Sequence, residues 1–172
     1  MVQQWWMRRW IVADDAVDFA ISAWREDGRW LCEALPPRTH DSLDTLIAAL
    51  RAHPGEVGTL GLVSVAEEFF ILIRMRGEEV RLLVNDLFAA EDYDLGIEAL
   101  DRLAVPAPDD EDDDEILPAG DLRILEDLGL RMDELEFILD DPEAWPDELL
   151  ATITTRVGFG DQFTRIVEKL TS

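Results

Sequence analysis

Asp18-Phe19-Ala20-Ile21-Ser22-Ala23-Trp24-Arg25-Glu26-Asp27-Gly28-Arg29-Trp30-Leu31-Cys32-Glu33-Ala34-Leu35 decides the character of the chain's first part. Residues 18–25 alternate, with Phe19, Ile21 and Ala23 on one side of an extended strand and Ala20, Ser22 and Trp24 on the other. Asp27-Gly28 then supplies the pair that a two-residue hairpin loop favours, because both central positions of such a loop need positive φ. Residues 30–35 resume the extended pattern. Pro36-Pro37 stop it, since proline has no N–H to give to a strand ladder.

Beyond the hairpin, Asp41 or Ser42 caps a helix that runs to about residue 52. Leu43, Leu46, Ile47 and Leu50 fall at i, i+3, i+4 and i+7, one face of a helix. His53-Pro54-Gly55 ends it. Residues 60–65 form a short apolar strand, residues 69–76 a strand apolar on much of both faces, and residues 80–84 a return strand after the Gly77 turn. A second helix over 93–103 carries Tyr93, Ile97 and Leu100 on one side. The order β-β-α-β-β-β-α predicts an α+β fold: a mostly antiparallel β-sheet with two helices, followed by a small C-terminal helical segment.

Pro106-Ala107-Pro108 and the run Asp109, Asp110, Glu111, Asp112, Asp113, Asp114, Glu115 mark a boundary, because seven consecutive carboxylates repel one another and cannot be buried together. After it the period becomes helical, over 121–128, 132–139, 146–157 and 161–170. Phe163, Ile166, Val167 and Leu170 form the stripe of the last helix. The expected organisation is a disordered extension at 1–17, a sheet domain at 18–105, an acidic linker at 106–117 and a short-helix bundle at 118–172. A bundle of that size is marginal alone and needs the sheet domain or a partner to dock on.

Charge excludes several function classes. The 172 residues carry 15 Lys+Arg against 39 Asp+Glu, net −24. Residues 101–172 hold net −15 of this and residues 1–100 net −9. Such a surface repels phosphate backbones, so direct nucleic-acid binding is not expected. One cysteine, Cys32, excludes an intramolecular disulfide framework and any multi-thiolate zinc site. No apolar run has the length of a membrane span. The start, with Trp5, Trp6, Arg8, Arg9 and Trp10, lacks the apolar centre and cleavage site of a signal peptide, so a cytoplasmic protein is expected.

Chemistry is sparse. His40 and His53 are the available imidazoles, His53 at a helix end and His40 in a loop, and no Ser or Cys stands in a nucleophile-elbow context. Cys32 reads as a small buried hydrophobe in mid-strand. Gly158-Phe159-Gly160 follows a helix and lacks Lys-Ser/Thr, so it punctuates helices and does not cradle phosphate. Neither the acidic run nor Asp140-Asp141-Pro142-Glu143 has the alternating acids, central Gly and distal Glu of a calcium loop. No catalytic residue, metal ligand or cofactor is expected. The acids at 109–115, with Asp140, Asp141 and Glu143, are the expected partner-binding residues.

Several stretches together resemble a family. Residues 19–30 with Glu33-Ala34-Leu35-Pro36-Pro37, Gly61-Leu62-Val63-Ser64-Val65 with Glu68-Phe69-Phe70, and the strand end containing Asp86 are similar to actinobacterial tRNA adenosine deaminase-associated proteins. So are Pro118-Ala119-Gly120-Asp121-Leu122, Asp127-Leu128-Gly129-Leu130, Pro146-Asp147-Glu148-Leu149-Leu150 and Gly158-Phe159-Gly160-Asp161-Gln162-Phe163. The similarity covers about residues 18–168 and leaves the N-terminal segment outside. It implies association with the enzyme that converts adenosine to inosine at the tRNA wobble position, and it carries no catalytic residues with it. Zinc deaminases need His-x-Glu and Pro-Cys-x-x-Cys. Here Ser42 stands two after His40, Gly55 two after His53, and there is one cysteine, so this chain is not the deaminase.

The leading expectation is a non-catalytic accessory protein that binds another protein, the tRNA adenosine deaminase being the candidate, through its acidic surfaces. Two others stand beside it. One is a ligand-binding or enzymatic α+β domain using Arg74, Arg76 and Arg81 around the Gly77 turn as an anion patch. The other is a structural homodimer pairing the apolar strand at 69–73 across a sheet edge.

Overall fold

A computed structural model describes residues 17–106 and 116–171. The first part comprises strands β1 (Val17–Glu26) and β2 (Arg29–Ala34), a 3-10 turn (Pro37–Asp41), helix α1 (Leu43–Leu50), strands β3 (Thr59–Val65), β4 (Phe69–Arg76) and β5 (Glu79–Val84), and helices α2 (Leu87–Ala90) and α3 (Asp94–Arg102). The second part comprises a two-residue strand β6 (Ala119–Gly120), a 3-10 turn (Glu126–Leu128), and helices α4 (Met132–Leu139), α5 (Pro146–Val157) and α6 (Gly160–Thr171). Among the described residues the strands form one antiparallel sheet in the order β2-β1-β3-β4-β5-β6. The α+β class expected from the pattern is the class observed.

Local chemistry explains the boundaries. Asp27 and Gly28 take φ of 52° and 77°, the two positive values that the tight β1–β2 loop needs. At the start of α1, the Ser42 hydroxyl accepts from the Thr45 amide at 3.1 Å, and the Thr45 hydroxyl accepts from the Ser42 amide at 3.1 Å. Two of the helix's orphan donors are satisfied in this way. Leu43, Leu46, Ile47 and Leu50 are all buried, as their spacing requires.

The sheet is covered on both faces, which is why β3 and β4 read as nearly continuous apolar runs. On one face Val63, Val65, Phe69, Ile71, Ile73 and Val84 pack under α1, α2 and α3. On the other, Phe19, Ile21, Leu60, Leu62, Phe70 and Leu72 pack under Ile124, Leu135, Leu150, Ile153, Phe159 and Phe163 of the second part. The C-terminal helices are thus the second outer layer of the sheet. β6 also joins the sheet, Ala119 pairing with Val84 and Gly120 with Leu83. Gly120 sits at φ 115°, and a Cβ there would lie 2.3 Å from the Leu82 carbonyl oxygen.

Three expectations change. The strand at 69–73 lies inside β4, which is paired on one side to β3 and on the other to β5, so it offers no edge to a second copy. The helix expected over 121–128 is a set of turns ending in the 3-10 turn. Asp121 Oδ1 accepts from the Arg123 amide at 2.9 Å, which favours a turn over a helix. The Ile124 carbonyl meanwhile accepts from Arg74 at 2.9 Å, and the Leu128 amide donates to Leu125. The third change is Val17, assigned to the extension, which pairs with Val65 as the first residue of β1. Residues 1–16 lie outside the described residues.

Candidate functional site

Arg74, Arg76 and Arg81 around the Gly77 turn are the residues of the alternative anion-patch reading. Alternation along β4 puts Phe70, Leu72 and Arg74 on the face that the C-terminal layer covers, and Arg74 is 1% exposed. Its guanidinium donates to the Ile124 carbonyl at 2.9 Å, the Val57 carbonyl at 2.8 Å and Asp127 Oδ2 at 2.8 Å, with a further short bond to Asp127 Oδ1. Arg76 lies 3.6 Å from the same carboxylate. Arg81 bonds Glu79 at 2.7 Å and approaches Asp121 at 3.6 Å. The hydrogen bond from Arg74 holds the Asp127 carboxyl below the usual carboxylate range, against the opposing effect of partial burial. These arginines are therefore occupied by carboxylates of the chain itself. They clasp the segment at 121–127 to the sheet.

The imidazoles and the thiol are also engaged structurally. His40 Nε2 lies 3.2 Å from the Leu35 carbonyl, and burial lowers its pKa. The His53 ring stacks on Trp24, centroids 4.0 Å apart, and its Nε2 is 3.0 Å from Glu33 Oε2. Cys32 faces the core beside Trp30, and burial pushes its thiol up to about 12, so the nucleophilic thiolate is scarce at neutral pH. Among the described residues no group of His, Cys, Asp or Glu is gathered closely enough to hold a metal ion.

Of the residues expected to bind a partner, Asp140, Asp141 and Glu143 are exposed in the α4–α5 loop, where Asp141 Oδ1 accepts from the Glu143 amide at 3.1 Å. Asp109, Asp110, Glu111, Asp112, Asp113, Asp114 and Glu115 lie outside the described residues. Trp145, next along, caps α5: its amide donates to Glu148 Oε1 at 3.2 Å, and its ring is 57% exposed. It borders a depression of about 450 Å³ that also takes in Asp18, Glu67, Asp147 and Glu148. The strained turn beside it, with Ala66 and Glu67 at φ 53° and 55°, is held by Asp18, which accepts from the Glu67 amide at 2.7 Å.

A second depression, of about 430 Å³, lies along α4 between Phe137, Leu139, Leu122 and Ile116, with Asp133, Glu136 and Asp140 among its lining residues. Phe137 is 84% exposed, the highest value of any large hydrophobic residue among the described residues, and it stands beside the apolar walls of this depression. Sequence reasoning missed this feature. The clue available was that Phe137 stands off the Leu135–Leu139 stripe of its helix.

A family model described as "Rv3753c-like tRNA adenosine deaminase-associated protein" matches residues 18–160. The chain belongs to this family. One relative, Protein Rv3753c of Mycobacterium tuberculosis, is 36% identical over 159 residues, 92% of each chain. No solved structure matches. In this member of the family the matched span contains the Arg74–Asp127 clasp, the Phe137 depression and the loop of Asp140, Asp141 and Glu143. No helix among the described residues is long and apolar enough to cross a membrane.

Proposed function

We propose that this protein is a non-catalytic accessory factor that binds a basic protein surface, the tRNA adenosine deaminase being the candidate partner. The family description, association with that enzyme, carries the reading. The charge distribution supports it. An enzyme that grips tRNA must present lysines and arginines, and a C-terminal part of net −15 complements such a surface. The contact falls on the acids at 109–115 and on Asp140, Asp141 and Glu143. The same charge argues against direct contact with tRNA, so protein and tRNA compete for one basic face of the enzyme. The contacts of His40 and His53, the burial that raises the Cys32 pKa, and the pairing of Arg74, Arg76 and Arg81 with carboxylates of the chain support the accessory reading over the enzymatic and anion-binding ones.

Co-purification tests the reading. The two proteins are expected to elute together at about 0.05 M salt and to separate by about 0.5 M, where screening shortens the reach of surface charge. Added tRNA is expected to displace the protein at low salt. Separate elution at low salt, with both proteins folded, refutes it.

A further inference from the structure

We infer that the depression along α4 is the seat of an apolar side chain flanked by lysine or arginine, carried by a segment of the protein partner, with Phe137 as the contact that anchors it. This rests on the accessory reading above and places its binding energy at one point.

The floor and walls are Phe137, Leu139, Leu122 and Ile116, and the acids lining it are Asp133, Glu136 and Asp140. Asp133 is paired to Arg131 at 3.0 Å, an exposed pair of little strength. Glu136 and Asp140 have no ion pair among the described residues. Among the described residues no basic side chain lines the depression.

An exposed aromatic ring with nearby apolar walls and an acidic rim has the composition of an interface anchor: the ring gives affinity once covered, and the rim selects sign. Charge decides the occupant. A second copy of this chain, net −24, brings like charge to the rim. Nucleic acid and anionic lipid do the same. A cationic peptide segment with one apolar residue is the chemistry that satisfies both the ring and the rim.

The test uses the full chain and two fluorescein-labelled peptides of equal charge, an amphipathic leucine/arginine peptide and an oligo-arginine, followed by fluorescence anisotropy at low salt. The leucine/arginine peptide is expected to bind more tightly. Phe137→Ala is expected to weaken it about tenfold or more while leaving oligo-arginine unchanged, the size of loss typical of a buried anchor. Glu136→Gln combined with Asp140→Asn is expected to weaken both peptides. Because Phe137 is 84% exposed, the alanine variant is expected to keep the wild-type melting curve, which separates lost binding from lost folding. Equal effects of Phe137→Ala on the two peptides, or no effect on either, overturn the inference. So does a wild-type dimer by light scattering that Phe137→Ala dissociates, since the occupant is then a second copy.

A further arm separates this inference from the reading it rests on. If the deaminase co-purifies equally with wild type and with Phe137→Ala, the α4 seat is refuted and the accessory reading stands. If it co-purifies with neither while the leucine/arginine peptide still depends on Phe137, the accessory reading falls and the seat stands.

Discussion

Replacing Asp127 with alanine removes the counter-ion of a guanidinium that is 1% exposed, leaving Arg74 with two carbonyl acceptors, Arg76 beside the vacated carboxylate and Arg81 opposite Arg74 in the β4–β5 register. Breaking a buried pair from one side costs about 3–5 kcal/mol, because the remaining charge is not rehydrated. The Asp127 side chain is 44% exposed, so water can enter the vacated position and the cost belongs at the low end, about 3 kcal/mol. Arg74→Met removes the buried charge and fills its volume, while Asp127 returns to water. That variant is expected to lose only about 1–2 kcal/mol, for orphaned carbonyls of Val57 and Ile124. Urea denaturation followed by circular dichroism measures all three proteins and the double variant. The double variant is expected to match Arg74→Met alone, and hydrogen exchange in Asp127→Ala is expected to rise first over 119–130. The pH dependence has a definite sign. Asp127 has a depressed pKa in the fold, so its contribution is fully present above the ordinary aspartate pKa of about 3.9. It is lost as pH falls through the folded value, and the difference between wild type and Asp127→Asn shrinks there. A loss below about 1 kcal/mol in Asp127→Ala, or a double variant clearly worse than Arg74→Met, refutes the clasp as the link between tail and sheet.

Gly96→Ala puts a Cβ 2.0 Å from the Ala90 carbonyl oxygen, where α2 meets α3. Overpacking of about 1–3 kcal/mol against a helix-propensity gain of about 1 gives a net loss of up to about 2 kcal/mol in the same urea assay. Asp86 caps α2 by accepting from the Phe88 amide at 3.1 Å, yet burial raises its pKa, so its charge is a cost at neutral pH. Asp86→Asn is expected to equal or exceed wild type above about pH 4 and to lose that edge in acid, whereas Asp86→Ala costs about 1 kcal/mol in thermal or urea melts. Cys32, held near 12 by burial, is expected to resist a thiol reagent at pH 8 in the native protein and to react promptly in urea. Rapid native labelling contradicts this effect of its partial burial.

Local chemistry was legible in the sequence, and pairing across distance was not. Asp27-Gly28, Ser42 and Pro146 each act within a few residues, and the β1–β2 loop, the start of α1 and the start of α5 stand where they place them. Ala119-Gly120 is too short for any period, and it became a strand only because the β5 edge was open beside it. The Arg74–Asp127 pair spans 53 residues. The signal that was available is positional: Arg74 follows Phe70 and Leu72 on one face of a strand buried on both, so a charge there demanded a partner. Grouping it with Arg76 and Arg81 as an anion patch around the Gly77 turn overlooks that register. At the candidate site, the exposed loop of Asp140, Asp141 and Glu143 was visible from composition, but Phe137 was not, because exposure of a single apolar residue is set by what the tertiary fold leaves uncovered.

Placing the second outer layer after all five long strands has a consequence for synthesis. β1 to β5 leave the ribosome before Ile124, Leu150 or Phe163 exist to cover Leu62, Phe70 and Leu72. At roughly 5–20 residues per second, the interval between Arg74 and Phe163 is on the order of 4–18 seconds. For that time the covering layer is incomplete, and for the first 53 residues of it the Arg74 guanidinium has no Asp127 to meet it. The seven acids at 109–115 are made within that window, ahead of the covering helices. They put strong like charge on each unfinished copy while its apolar face is bare, and within the roughly 10 Å reach of charge in salt this opposes the close approach of two such chains.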